Sequence, residues 1–289
     1  VTPRAGALAG SGEFRGAEAP RRHLSGPADR SLGCRFRLLV RSIGIAAWSA
    51  GLFLIGMVGL LPLLGSARRG LGWRTWVVRL WARGMCVLLG IRRRVEGLAP
   101  QPPFFLVSNH LSYVDILVLA ASVRGVFVSK SEVRHWPAIG TLATIFGTIY
   151  LDRTRTRDAV RVLETFDRVV GAGVGVVVFP EGTSTAGDRV GPFHAALLEW
   201  AARRDFPVHT VALGYETAPP DPPAHEAICW WGDMTFLPHV TRLCTLRGSR
   251  ATVRFAPHTI RRPDRRALAD EARSSVLARF DPVVAPELP

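Results

Sequence analysis

Two ionisable residues stand five positions apart in the otherwise apolar stretch FFLVSNHLSYVDILVLA (104–120): His110 and Asp115. FFLVS is apolar and β-prone, so Asn109 and His110 fall just past a strand end. Ser112, followed three residues later by Asp115, is a capping-type signature for a helix that begins there. A carboxylate in a first helical turn is held ionised by the helix dipole. From that turn Asp115 can accept the Nδ1 proton of His110, which leaves Nε2 as a base. Chance alone supplies about 0.6 such pairs at any fixed spacing in a chain with 8 His and 23 acidic residues. The pair therefore needs independent support. VGVVVFPEGTSTAGDR (174–189) offers it, being a buried-strand pattern that ends in Pro180, Glu181, Gly182, Thr183 and Ser184. An acid after so apolar a run calls for a partner, and the residues behind it offer amides and hydroxyls for an anion or a substrate hydroxyl. An ordinary turn with a solvated glutamate has the same composition.

Alternating elements must carry these residues. From Phe104 onward, short apolar runs (FFLVS, VFVSK, TIYLD, VGVVVF, VHTVALGY) alternate with helical patterns (VDILVLAASV, WPAIGTLATIF, RDAVRVLETFDRVV, AALLEWAARR). ATVRFA and RRALADEARSSVLARF add a last strand and an amphipathic helix. The pattern predicts an α/β fold, a mixed, mainly parallel sheet flanked by helices, with its sites at the carboxyl ends of the strands.

The front of the chain has a different chemistry. Residues 1–33 are rich in Gly, Ala, Pro, Ser and Arg and read as a disordered tail. Residues 34–91 read as a membrane-anchoring or interfacial helical segment, and 92–289 as the main domain. No charge occurs from Ser42 to Ala67, a run that as a helix reaches roughly 39 Å and suffices to cross a hydrocarbon core. Arginines flank it on both sides and Gly51, Gly56, Gly59 and Pro62 interrupt it, so a straight span and a re-entrant hairpin are both open. The following WRTWVVRLWARGMCVLLGI sets Trp73, Trp76, Val77, Leu80, Trp81 and Leu88 at helical spacing. That pattern suits the headgroup layer or packing on its own domain.

The net charge is +14, and of 37 basic residues only Lys130 is lysine. Guanidinium-rich surfaces seek phosphate, on nucleic acid or on anionic lipid. The uncharged run and the lack of a nucleic-acid motif favour lipid over nucleic acid. Cys34, Cys86, Cys229 and Cys244 form no CxxC pair and have no histidine at finger spacing, so neither a metal site nor a disulfide framework is expected. A serine hydrolase is disfavoured because no GxSxG elbow occurs.

NHLSYVD (109–115), GTIYLDR (147–153), FPEGTS (179–184) and FPVHTVAL (206–213) stand in order over Phe104 to Arg254 and together resemble the four blocks of the glycerolipid acyltransferase family. The resemblance implies that His110 deprotonates an acceptor hydroxyl with Asp115 as its orienting partner. It implies a substrate-binding set of Asn109, Lys130, Arg153, Glu181, Gly182, Thr183 and Ser184, in which Arg153 holds an acceptor phosphate. It further implies no cofactor and no metal. An acyl-CoA or acyl carrier protein thioester would be the co-substrate, a lysolipid in the membrane the acceptor, and the cytoplasmic face of the inner membrane the location. The expected acceptor is 1-acyl-sn-glycerol-3-phosphate, giving phosphatidic acid, with a lyso-ornithine lipid as the alternative. Two departures bear on that choice: Ser184 stands where many members have arginine, and His194 after Phe193 where they have a basic residue. CWWGDM (229–234) resembles a branch that includes lyso-ornithine-lipid acyltransferases, and its tryptophans equally suit a domain edge.

Overall fold

The computed structural model of the chain describes residues 31–60, 65–136, 139–152 and 156–284. The expected tail up to residue 30, Pro62, Pro137 and Arg153 lie outside the described residues.

Seven strands, β1 (Ile91–Glu96), β2 (Phe105–Ser108), β3 (Gly125–Lys130), β4 (Ile149–Leu151), β5 (Gly175–Val178), β6 (Val208–Thr217) and β7 (Ser249–Phe255), make one sheet in the order β1-β7-β6-β2-β5-β3-β4. β2, β3, β4, β5 and β6 are mutually parallel, whereas β7 runs antiparallel to β6 and carries β1 parallel to itself. The sheet is thus mixed and mainly parallel, as the alternating pattern predicts. The helices are α1 (Leu32–Leu60), α2 (Ala67–Leu88), α3 (Val114–Ser122), α4 (Ile139–Ile145), α5 (Thr156–Gly171), α6 (Glu199–Arg203), α7 (Ala224–Ala227), α8 (Phe236–Thr245) and α9 (Arg265–Leu277).

Both faces of β2 are buried, so its run reads as continuously apolar, and the period of two sorts it into two layers. Leu106 and Phe104 enter the layer formed with α2, α3, α7 and α8. Phe105 and Val107 enter the layer of α5, α6 and α9, where Phe105 stacks on Trp200 at 5.8 Å and meets Phe166 edge-on at 5.8 Å. Gly175 opens β5 because a Cβ there would overlap the Phe104 ring.

The strand IRRRVE escapes a search for apolar runs. β1 lies at the sheet edge, where charged side chains are tolerated and discourage further pairing. Arg254 on β7 answers Glu96 at 2.8 Å.

α2 has two partners. Val78, Ala82, Met85, Cys86 and Leu89 are buried in the layer beneath it, which places the helix in the core as well as beside the front segment. Trp73 and Trp81 face α1, which runs antiparallel to α2. Trp48 Nε1 donates to the Trp81 carbonyl (3.1 Å), Trp81 Nε1 to Ser49 Oγ (3.0 Å) and Trp73 Nε1 to the Gly56 carbonyl (3.1 Å). Gly84 and Gly59 lie under the Trp48 and Trp73 indoles, and a Cβ at either would overlap a ring. Gly51, Gly56 and Gly59 do not break α1, which is continuous over 29 residues. Its outer side exposes Phe36, Leu39, Ile43, Leu54, Met57 and Val58.

Candidate active site

β2 ends at Ser108, and the chain turns into α3 through Asn109–Tyr113. Asn109 is fully buried, and its side chain bridges to β6: Nδ2 donates to the Leu213 carbonyl (3.0 Å) and Oδ1 accepts from the Leu213 amide (2.8 Å). Both ends of its amide are thereby occupied, so the geometry offers a positioning residue that fixes the loop where the ladder of β2 stops.

Asp115 is fully buried in the first turn of α3. Its Oδ2 accepts from three donors: the Leu111 amide (2.7 Å), the Ser112 amide (3.0 Å) and His110 Nδ1 (2.8 Å). Its Oδ1 accepts from the Tyr215 hydroxyl at 2.6 Å. The Leu111 and Ser112 contacts reach back into the turn that precedes α3, whose N-cap, Tyr113, makes no side-chain capping bond, so the expected capping by Ser112 takes this form instead. The same carboxylate thus fixes the turn that leads into the helix and holds the imidazole. With Nδ1 donating, Nε2 is the free base nitrogen; it makes no hydrogen bond among the described residues, and the side chain is 21% exposed. Phe179 stacks on the ring at a centroid distance of 4.3 Å, which fixes its plane.

The second motif closes on the first. Glu181 Oε1 accepts from the His110 amide (2.7 Å), Oε2 accepts from the Gly191 amide (2.7 Å), and the Thr185 amide donates to the His110 carbonyl (3.1 Å). Glu181 is 5% exposed. Burial raises its pKa to about 7, although the two amides and the nearby His110 act in the opposite direction. Gly182 has φ +69, a left-handed conformation that favours glycine, and lets the turn follow at once. Thr183 is exposed. Ser184 Oγ donates to the Trp230 carbonyl.

That bond brings in the segment around α7 and α8. The Trp230 amide donates to the Leu111 carbonyl (2.8 Å), and Trp230 meets Tyr113 and Trp136 edge-on at 5.9 and 5.6 Å. The Tyr113 hydroxyl hydrogen-bonds His239 Nδ1 (2.9 Å), while His239 Nε2 donates to the Cys229 carbonyl (3.0 Å). Burial lowers the His239 pKa to about 4, so the ring is neutral and its Nδ1 accepts a hydrogen bond from the tyrosine hydroxyl.

The structure therefore gathers Asn109, His110, Asp115, Glu181, Gly182, Thr183 and Ser184 at the carboxyl ends of β2 and β5. Lys130 closes β3, two strands along from β2, and is exposed, with no hydrogen bond or ion pair to this group among the described residues. Sequence reading did not single out Tyr215 or Gly191. Tyr215 shares a strand face with Leu213 in VALGYET, and a buried phenol there signals a buried acceptor. Gly191 contributes only its backbone, which leaves no signal; its missing Cβ makes room for Glu181 Oε2.

A family model described as Acyltransferase matches residues 92–214. The chain is similar to the lyso-ornithine lipid O-acyltransferase of Pseudomonas aeruginosa, with 33% identity over 261 residues, covering 85% of this chain and 95% of that protein. It is similar to the 1-acyl-sn-glycerol-3-phosphate acyltransferase of Neisseria meningitidis at 31% identity, over 46% of this chain and 53% of that protein. Among solved structures, the 1-acyl-sn-glycerophosphate acyltransferase of Thermotoga maritima superposes with a TM-score of 0.60 at 17% identity, over 86% of this chain and 94% of that one. That last likeness is one of fold.

Proposed function

The chain belongs to the glycerolipid acyltransferase family, and from that premise we propose that its acceptor is a lyso-ornithine lipid, acylated on its free hydroxyl by an acyl thioester. That it is an acyltransferase acting on lysolipids follows from the family and its named relatives. The sequence expectation put 1-acyl-sn-glycerol-3-phosphate first, and the order is reversed here. The observation that carries the reversal is the similarity to a protein named for lyso-ornithine lipid along nearly its whole length, against about half the length of one named for the glycerophosphate. Site chemistry supports it. Position 184 supplies a hydroxyl engaged on the Trp230 carbonyl where a phosphate acceptor would favour a fixed cation, and His194 follows Phe193.

In the proposed mechanism His110 Nε2 takes the proton of the acceptor hydroxyl as its oxygen attacks the thioester carbonyl. Asp115 holds the tautomer and offsets the imidazolium charge that forms. The tetrahedral intermediate collapses with cleavage of the carbon–sulfur bond, and the thiolate recovers the proton from the imidazolium. No acyl-enzyme is required.

The acceptor lives in a bilayer, and the exposed apolar side of α1 supports membrane association. Because α1 lies along α2, whose other side belongs to the core, we place α1 in the plane of one leaflet rather than across the membrane.

The acceptor reading is tested by incubating the protein and one acyl thioester with lyso-ornithine lipid and with lysophosphatidic acid separately. Ornithine lipid is the expected product, with His110→Ala inactive. Phosphatidic acid as the preferred product would return the protein to the first expectation.

A further inference from the structure

Away from the reaction centre, four arginines converge on the last turn of α3. Arg83, on α2, donates from Nε to the Ala121 carbonyl (3.3 Å), and Arg93, on β1, from Nη1 to Ser122 Oγ (3.3 Å). Arg124 follows α3 by two residues and is exposed. Arg79 lies one turn before Arg83 on α2, and its Nε is buried with no hydrogen-bond partner among the described residues. None of the four meets a carboxylate among the described residues. Burial lowers the Arg79 pKa, and its remaining causes are the like charges of Arg83, Arg124 and Arg93, with no anion among them.

Guanidiniums do not shed their protons to relieve such crowding. At the end of α3 the Ala121 carbonyl answers Arg83 and the Ser122 hydroxyl oxygen answers Arg93. Among the described residues, Arg79 Nε and the Arg124 guanidinium remain unanswered. A cluster of this kind, with planar donors and no acid, is complementary to a phosphate.

The surroundings indicate where the phosphate comes from. Trp76, Arg79, Arg83 and Val87 are spaced along one outward stripe of α2, with Trp76 43% and Val87 78% exposed. Basic residues set between an exposed indole and an exposed apolar side chain match the headgroup layer, where lipid phosphates lie beside the start of the acyl region. α1, with its exposed apolar side, packs next to this helix.

We propose that Arg79, Arg83, Arg93 and Arg124 form a binding site for the phosphate of an anionic lipid headgroup, separate from the acceptor site. The membrane reading of α1 enters only as the reason for choosing a lipid source. The site holds the α2–α3 side of the protein at the bilayer surface and makes its binding selective for anionic membranes.

The test uses the full chain, without acyl donor, in flotation with phosphatidylcholine vesicles prepared with and without phosphatidylglycerol. Each basic residue near an anionic surface contributes a factor of roughly five, so Arg79→Gln/Arg124→Gln should bind phosphatidylglycerol vesicles about thirtyfold more weakly. A control, Arg247→Gln/Arg266→Gln, removes the same charge from two exposed positions elsewhere and should lose far less. Binding to neutral vesicles reports on α1 and should be equal in all three proteins, so a failure of the anchor reading is seen separately. Glutamine at Arg79 relieves repulsion, so the thermal midpoint without lipid should not fall. Equal losses in the site variant and the control would reduce the effect to general electrostatics and overturn the proposal. So would thermal stabilisation by coenzyme A or inorganic phosphate that vanishes in the site variant while vesicle binding persists, since the site would then serve a soluble phosphate.

Discussion

Replacing Asp115 by asparagine separates orientation from charge, because the acceptors around it are arranged asymmetrically. Three donors, the Leu111 and Ser112 amides and His110 Nδ1, converge on Oδ2, and a hydroxyl that can reverse its role, that of Tyr215, meets Oδ1. An asparagine amide has one favourable placement here: its oxygen on the side of the three donors, its NH2 toward Tyr215. The two backbone amides therefore keep the imidazole in the Nδ1–H tautomer, and only the negative charge is lost. A hydrogen bond to a charged group exceeds a neutral one by about 1–2 kcal/mol. Asp115→Asn should accordingly lower kcat roughly five- to thirtyfold. In serine proteases the corresponding change costs about ten-thousandfold because it imposes the wrong tautomer. His110→Ala, which removes the base, should cost roughly 100- to 10,000-fold. Asp115→Ala leaves the buried Leu111 and Ser112 amides and the Tyr215 hydroxyl without their acceptor, at about 1–3 kcal/mol each, and should be visible as lost stability. Initial rates of transfer to the lysolipid, together with urea midpoints, separate these effects. An asparagine variant as inactive as His110→Ala, yet fully stable, would refute the amide placement; one with unchanged kcat would show that the charge of Asp115 plays no part.

The raised pKa of Glu181 has a sign. The stability it confers is fully present below the unfolded carboxyl value of about 4.5 and is lost as pH rises through about 7, a swing of about 3 kcal/mol. Urea midpoints should fall across that window in the wild type and stay flat in Glu181→Gln, which also loses activity because a glutamine offers one acceptor to the His110 and Gly191 amides. Ser184→Arg should raise the ratio of lysophosphatidic acid to lyso-ornithine lipid turnover at least tenfold by adding a charge-assisted contact to phosphate, and Arg153→Ala in that background should reverse part of the gain; product ratios at equal acceptor concentration measure both. Gly84→Leu puts a side chain into the Trp48 indole, so α1 should detach from α2 at a cost of about 1–3 kcal/mol, seen as faster tryptic cleavage at Arg35, Arg37 and Arg41.

The elements that carry the site were legible because their burial is two-sided. Continuous apolar runs such as FFLVS and VGVVVF have few alternatives to a covered parallel strand, and the residues beyond their ends fall at the carboxyl edge by construction. What did not show was whatever depends on contacts distant in the chain. β1 is an arginine-rich edge strand recruited by β7 some 160 residues later. The partners of Asp115 and Glu181 on the far side, Tyr215 and the Gly191 amide, come from other elements, and one of them is backbone alone. Asn109 stands as a substrate contact through the family resemblance, but only the structure shows its amide held by Leu213. The expected division at residue 92 follows a real change in chemistry, from uncharged and Trp-rich to alternating α/β. On the near side of that division, α2 contributes to one of the two core layers together with α3, α7 and α8.

The same contacts join the apolar helix to the reaction centre. Arg37 Nε donates to the Thr245 carbonyl (2.9 Å), and Arg41 Nη1 to the carbonyls of Cys244 (3.0 Å) and Leu246 (2.6 Å), so two cations from the first turns of α1 cap the end of α8. A helix C-terminus leaves such carbonyls unsatisfied and partly negative, which makes arginine the suited partner. Within the same ten-residue helix, His239 holds the Tyr113 hydroxyl, two residues before Asp115. A tilt of α1 relative to the domain must therefore either break the three arginine contacts or move α8, and with it Tyr113 and Trp230. Because hydrogen bonds to charged donors contribute about 1.5–3 kcal/mol each, the linkage is stiff relative to thermal energy. On the proposed placement of α1 in one leaflet, its orientation would be transmitted to the mouth of the site, and the hydroxyl of a bilayer-borne acceptor would meet His110 at a set height.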